Sequence, residues 1–341
     1  MTNKYVQVGL RERETARADS VPTDLLGAFD FSIRWSTQLK YLFLAMRPKQ
    51  WFKNLILFMA LIFSLNQHWN LGNIGHAIYL LGITAASFAL FCLISSAEYL
   101  INDLLDIEAD RQHPTKRYRP LASGKLNPNL TWAVAIILLA VAIPMSYWLC
   151  WTIGSGFGFG VVATMYFLLA LSYSLFLKKQ VIIDVFALSG GFVLRAVAGA
   201  LVLGFPISPW LYICTLLLAL FLSLSKRRHE LVSLGSNSGN HRQSLFEYTP
   251  KLIDEMIALV TAATLVSYCL YTFSAENLPK NHTMMLTVPF VLYGIFRYLY
   301  LIHVRNMGGN LEDVLFKDKP LMANIFLWVL TAFLILLPYH P

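Results

Sequence analysis

The chain has 341 residues, of which 57% are hydrophobic and only 13% charged, with a formal net charge of +8. A soluble domain carries roughly 25% charged residues, so this chain cannot cover a water-facing surface of its own size, and its hydrophobicity excludes disorder. Cys92, Cys150, Cys214 and Cys269 stand singly in separate apolar stretches, which is neither a disulfide framework nor a metal spacing.

Residues 1–30 are polar and charged, lack the apolar centre of a secretory signal peptide, and read as a mobile tail. Over 31–50, Trp35, Leu39, Leu42 and Met46 recur at helical spacing among Arg34, Lys40, Arg47 and Lys49. That pattern predicts an amphipathic helix lying on a membrane surface. Nine apolar runs long enough to cross a bilayer follow, at 54–69, 77–101, 130–149, 156–177, 182–204, 208–225, 256–274, 284–302 and 320–339. The predicted fold is all-α, a polytopic membrane protein with nine transmembrane helices, and 31–341 forms one catalytic domain.

The basic residues are placed on one side. They crowd the N-terminal segment to Lys53, the 102–129 loop, Lys178 and Lys179, the 226–255 loop and the 303–319 loop. Only Lys280 falls in the opposite loops, while Arg195 and Arg297 lie within spans. This is the positive-inside pattern. It predicts a multi-pass protein of the inner (plasma) membrane, N-terminus cytoplasmic and C-terminus outside, and it explains the net charge without nucleic acid.

Asp103, Asp106 and Asp110 end the second run at i, i+3 and i+7, so on one helix they share a face, bordered by Asn102. Three like charges at a membrane boundary need a positive partner. Hard oxygen ligands of this kind suit Mg²⁺, which keeps open positions for phosphate oxygens. The bland alternative is a solvated helix end paired to Arg111, Lys116 and Arg117. Glu108 points elsewhere and reads as solvated, and His113 reads as a turn residue. The bases that follow, Lys116, Arg117 and Arg119, are suited to gripping phosphate.

The run NDLLDIEADRQHPTKRYRPLASGKL resembles the first aspartate-rich motif of the UbiA superfamily of intramembrane prenyltransferases. The resemblance implies nine helices around a central cavity with a cytoplasmic polar cap. Where most members carry a second acidic motif, this chain reads Ser225-Lys226-Arg227-Arg228-His229-Glu230. With Arg47 to Asn54, Tyr173, Ser174, Lys178, Asp184 and the Gly191 to Arg195 stretch, it resembles the decaprenyl-phosphate phosphoribosyltransferase branch. There the diphosphate belongs to the sugar and the lipid is the acceptor.

That branch implies Mg²⁺-dependent transfer of 5-phosphoribosyl from phosphoribosyl diphosphate to polyprenyl phosphate, for arabinose-type cell-wall precursors. Metal ligands are then Asp103, Asp106 and Asp110, and Asp184 joins the catalytic group, through the ribose hydroxyls or the metal environment. Lys49, Lys53, Lys116, Arg117 and Arg119 are candidate phosphate contacts, with Asn102, Tyr173, Lys178, Arg195, Lys226, Arg227 and Glu230 completing the substrate site. Asp184 is equally a dipole-favoured helix start, and Arg195 is equally structural, with Glu98 as partner. The expected partners are the two substrates and the bilayer, no nucleic acid, with a homo-oligomer left open. The alternatives are a UbiA-type prenyltransferase acting on an aromatic acceptor and a non-catalytic lipid-phosphate transporter. Gly156 and Gly160 read as close helix packing, and Arg242, Tyr248 and Asp254 as a loose lid.

Overall fold

Polar residues just ahead of apolar runs set the helix starts. Asn73, Asn127, Thr249 and Asp318 each accept a backbone N–H of the first turn that follows. The computed structural model describes residues 35–338, apart from 235–244, 246, 276–277, 308 and 310. The 1–30 tail and Arg242 lie outside the described residues. Helix α1 covers 35–45. A 3-10 stretch, Pro48–Leu57, runs directly into α2, Phe58–Phe63. Then come α3 (Ile74–Leu105), α4 (Ile107–Gln112), α5 (Pro128–Ile153), α6 (Gly158–Leu175), α7 (Ile183–Leu203) and α8 (Pro209–Leu234). The last elements are α9 (Pro250–Ser274), α10 (Val288–His303), α11 (Leu311–Lys317) and α12 (Lys319–Leu336). A 3-10 turn, Thr283–Thr287, extends α10 at its start.

Eight helical segments among the described residues are long and apolar enough to cross a membrane. They match the last eight predicted runs. The first run, 54–69, differs. Its ten residues of 3-10 helix and six of α-helix rise about 29 Å in all, after which the chain turns, with Asn66 in the left-handed region at φ 62°. The expected ninth helix is therefore a composite, begun six residues earlier than hydropathy placed it.

Helices adjacent in sequence pack side by side from α5 through α10, and α12 packs on α10. The 3-10 stretch lies against α3 and α7. Asn66 joins the two ends of the bundle, its Nδ2 donating to the carbonyls of Leu336 at 2.9 Å and Leu337 at 3.0 Å. Helix α1 is tied down by Gln38, which donates to Lys125 O and accepts from Asn127 N, both at 3.0 Å. Leu42 and Ala45 face the bundle, while Trp35, Leu39, Phe43 and Leu44 are exposed. Of the four residues read as its apolar stripe, Leu42 is buried and Met46 half-buried, while Trp35 and Leu39 are exposed and Ala45 takes a place on the packed side.

Candidate active site

Helix α3 has 32 residues, about 48 Å of rise against a hydrocarbon core of roughly 30 Å. It is therefore longer than the apolar layer is thick, and Asp103 and Asp106 lie at its C-terminal end. The helix stops at Asp106, which leaves α geometry at φ −102°, ψ 10°. The chain restarts as α4, so the three acids sit on two short-linked helices and not on one unbroken face.

Each acid meets a cation. Asp103, 2% exposed, takes Arg47 Nη2 at 2.5 Å and Arg119 Nη1 at 3.1 Å on the same oxygen. The same Arg119 nitrogen reaches Asp110 Oδ2 at 2.6 Å. Lys178 Nζ donates to Asp106 Oδ1 at 2.6 Å. Arg119 and Lys178, read from the sequence as phosphate and substrate contacts, thus stand on the acids, whereas Arg111 and Arg117, partners in the bland alternative, are engaged elsewhere. Arg111 pairs with exposed Glu108, Lys116 is exposed, and exposed Arg117 lies over the Tyr118 ring. His113 Nδ1 accepts from Thr115 N at 3.2 Å, as a turn residue does. Lys49 is exposed, and Lys53 bonds to Gln50.

The end of α6 joins this cluster to a second one. Ser174 Oγ donates to Asn102 Oδ1 at 3.0 Å. Its neighbour Tyr173 accepts from Arg227 Nη2 at 3.0 Å. Arg227 and Asp184 are both fully buried and stand 2.8 Å apart, Nε to Oδ2, although the N–H does not point at the oxygen. Arg227 also pairs with Glu230. Tyr248 donates to Asp184 Oδ1 at 2.9 Å and accepts from Ile182 N at 2.7 Å. Ile182 has φ 69°, a strained value for a β-branched residue, so that tyrosine holds a tight turn. Burial and the Asp184 charge push the Tyr248 phenol well above its usual range, which keeps it a proton donor. Lys226 is half-buried beside this group on α8.

Arg195 is deeper. It donates to Asn54 Oδ1 at 2.8 Å, Gly191 O at 3.1 Å and Tyr166 OH at 2.5 Å. Tyr166 in turn donates to Glu98 Oε2 at 3.3 Å. The expected Glu98 partnership exists, relayed by a tyrosine the sequence did not single out. Arg47 is the other omission. Its Asp103 partner is 56 residues away, and only its place just before a proline and a basic, aromatic stretch marks it. Of the glycines read as packing positions, Gly160 packs on the Tyr147 ring, whereas Gly156 is open and serves a turn at φ 77°.

Among the described residues, no three acidic, His or Cys side chains converge closely enough to hold a metal. The donor chemistry nevertheless fits a hard cation, because Asp103 and Asp106 each use only Oδ1 in the contacts above. Burial raises the Asp110 carboxyl above its usual value, against the pull of Arg119 and Lys116.

Residues 55–308 match the model of the UbiA prenyltransferase family. The decaprenyl-phosphate phosphoribosyltransferase of Corynebacterium glutamicum is 33% identical over 84% of this chain and 83% of its own. The protein of the same name from Mycolicibacterium smegmatis is 30% identical over 84% of this chain and 89% of its own. A UbiA homolog from Archaeoglobus fulgidus, solved with GPP and Mg²⁺ bound, superposes with a TM-score of 0.61 over 87% of this chain and 99% of that one, at 18% identity.

Proposed function

The chain belongs to the UbiA prenyltransferase family, and on that footing we propose that it transfers 5-phosphoribosyl from phosphoribosyl diphosphate to a polyprenyl phosphate. An oxygen of the acceptor phosphate attacks the sugar C1. The bond from C1 to the diphosphate breaks, and the diphosphate leaves with the electron pair. The acceptor is already an anion near neutral pH, so the step needs no strong general base.

The observation that carries this reading is the ring of cations on the acids. Arg47, Arg119 and Lys178 stand on Asp103, Asp110 and Asp106, partly exposed and next to the Asn102–Ser174 bond. Two polyphosphorylated substrates need such a concentration of positive charge. A family member moving a prenyl diphosphate has less need of a basic Lys226 to Arg228 run. Asp103, Asp106 and Asp110 would hold Mg²⁺, which supplies charge neutralisation on the departing diphosphate. Arg47, Arg119 and Lys178 hold phosphate oxygens, and Lys49, Lys116 and Arg117 draw the anions in from the rim. Arg227, buried, positions rather than touches. With Glu230, Tyr173 and Tyr248 it fixes Asp184 and the turn that carries Lys178. Arg195 braces α7 against Asn54 and Tyr166. The basic side of the chain, and so this site, faces the cytoplasm by the positive-inside rule, and the product serves cell-wall precursor synthesis.

The test incubates purified protein with polyprenyl phosphate, Mg²⁺ and either phosphoribosyl diphosphate or a prenyl diphosphate with 4-hydroxybenzoate, and reads lipids by mass spectrometry. A phosphoribosylated lipid that disappears on chelation is expected, with Asp106→Asn slower by on the order of a hundredfold. A prenylated aromatic product would overturn the donor assignment. Full turnover of Asp106→Asn would remove the metal assignment.

A further inference from the structure

Glu98 lies on α3 below the aspartates, and the transfer chemistry described so far makes no use of it. It stands two turns before Asp106, about 12 Å along the helix, with Asn102 midway. The three recur at i, i+4 and i+8, a stripe that turns only about 40° per step. The stripe faces the bundle interior. Tyr166 of α6 donates to Glu98 Oε2 at 3.3 Å, and Ser174 of the same helix donates to Asn102 Oδ1 at 3.0 Å. Each side chain keeps its other polar atom unused. Among the described residues Glu98 Oε1 and Asn102 Nδ2 have no hydrogen-bond partner. Neither atom is shut from solvent, and both residues are only half-buried. A carboxylate oxygen and an amide N–H therefore stand open, one turn apart, inside the bundle and next to the acids.

The charges around this pair select a neutral group. Arg195, Arg47 and Lys53 face the Glu98 carboxylate. Three cations around one acid disfavour a metal ion or an ammonium there, and the carboxylate itself repels a phosphate. A hydroxyl meets neither objection, since it can donate to a carboxylate or accept from an amide. We propose that Glu98 and Asn102 bind the vicinal ring hydroxyls of the pentosyl donor, one donating to Glu98 Oε1 and its neighbour accepting from Asn102 Nδ2. This rests on the phosphoribosyl-transfer reading, in which the donor sugar is the substrate that carries ring hydroxyls. Asp184, the acid expected on the ribose, is fully buried against Arg227 and Tyr248, so the diol falls to Glu98. With the diphosphate at Asp103 and Asp106, the ring lies about one turn lower on the same stripe. Arg195 Nη2 donates to Tyr166 OH at 2.5 Å, and Tyr166 holds Oε2, so Oε1 is presented in a fixed direction. A sugar lacking the hydroxyl would leave that oxygen unanswered, and a site built this way discriminates against it.

The experiment is isothermal titration calorimetry of the full chain in detergent, with Mg²⁺ and without a lipid acceptor. The probes are phosphoribosyl diphosphate and its 2-deoxy and 3-deoxy forms. The parent should bind at least one deoxy donor about tenfold or more weakly than the ribosyl donor. Glu98→Gln keeps the side chain's shape. It should bind the ribosyl donor about tenfold more weakly than the parent does, bind the deoxy donor much as the parent does, and so lose the preference. In turnover with polyprenyl phosphate the same variant should raise the KM for the donor and leave that for the lipid unchanged. Retention of the ribosyl preference by Glu98→Gln, whether or not its melting temperature falls, would make Glu98 a structural residue and overturn the proposal. So would a parent that binds both deoxy donors as tightly as the ribosyl donor. A parent that binds no phosphoribosyl diphosphate at all would overturn the transfer reading as well, which sets the two failures apart.

Discussion

At Asp110 removal from water outweighs the neighbouring cations, and the carboxyl rises above its usual value despite Arg119 and Lys116. The folded chain then binds that proton more tightly than the unfolded chain. Ionised Asp110 is a cost to folding at neutral pH that shrinks as pH falls through the raised value. Asp110→Asn should therefore leave the melting temperature unchanged or raised while transfer falls, and paired melts and turnover assays check this. A lower melting temperature with full turnover would make Asp110 merely structural. Tyr248→Phe works the other way. It strips Asp184 and the Ile182 N–H of a buried partner, so it should destabilise by about 1–3 kcal/mol, read by thermal unfolding in detergent. At this scale the sequence showed which residues carry charge. Asp103, Asp106 and Asp110 were legible from spacing, and Asp184 with Arg227 from the same pattern of acid and base at span ends. Their pairings were not legible, because Arg47 reaches Asp103, and Lys178 reaches Asp106, across more than fifty residues of chain.

Most helix spans were read to within about four residues, because apolar length and capping residues are local properties, but α8 runs nine residues past its predicted end and α9 starts six before its predicted start, where charged residues extend the helix beyond the apolar run. The other exception is the composite first span. Hydropathy windows assume α-helical rise, whereas a 3-10 segment covers the same distance with fewer residues. The packing of that segment depends on one position. A Cβ on Gly199 of α7 would lie 2.1 Å from Leu57 O, which neither backbone can absorb without moving. Gly199→Ala should lower stability by about 1–3 kcal/mol or more, visible as a lower melting temperature, whereas a neutral result would show the 3-10 segment free to slide. Asn54 sits on this segment and accepts from Arg195, so displacement there should also reach the Arg195–Tyr166–Glu98 relay.

Across the molecule, the late helices are joined by Arg297 and Asp318. Arg297 donates to both Asp318 oxygens, at 3.2 and 2.8 Å, while Asp318 also caps α12 through Leu321 N. The Arg297 hydrogen bonds hold the Asp318 carboxyl below its usual value, with the cap bond adding to them. A depressed carboxyl stabilises the fold above its unfolded pKa of about 3.9, and that contribution is lost as pH falls through the depressed value. Asp318→Asn should flatten the loss of melting temperature on acidification in that range, and an unchanged slope would place the acid sensitivity elsewhere. Composition and hydropathy alone determined that the chain is a membrane-spanning all-α protein, and the one-sided charge with the aspartate spacing marked the candidate site, because these depend on neighbours a few residues apart. The tertiary structure decided that Asp103 and Asp106 are matched to the distant Arg47 and Lys178, and that Arg227 is buried on Asp184. Those facts depend on which helices lie side by side, and the energy that selects the arrangement resides in contacts between segments far apart in the chain.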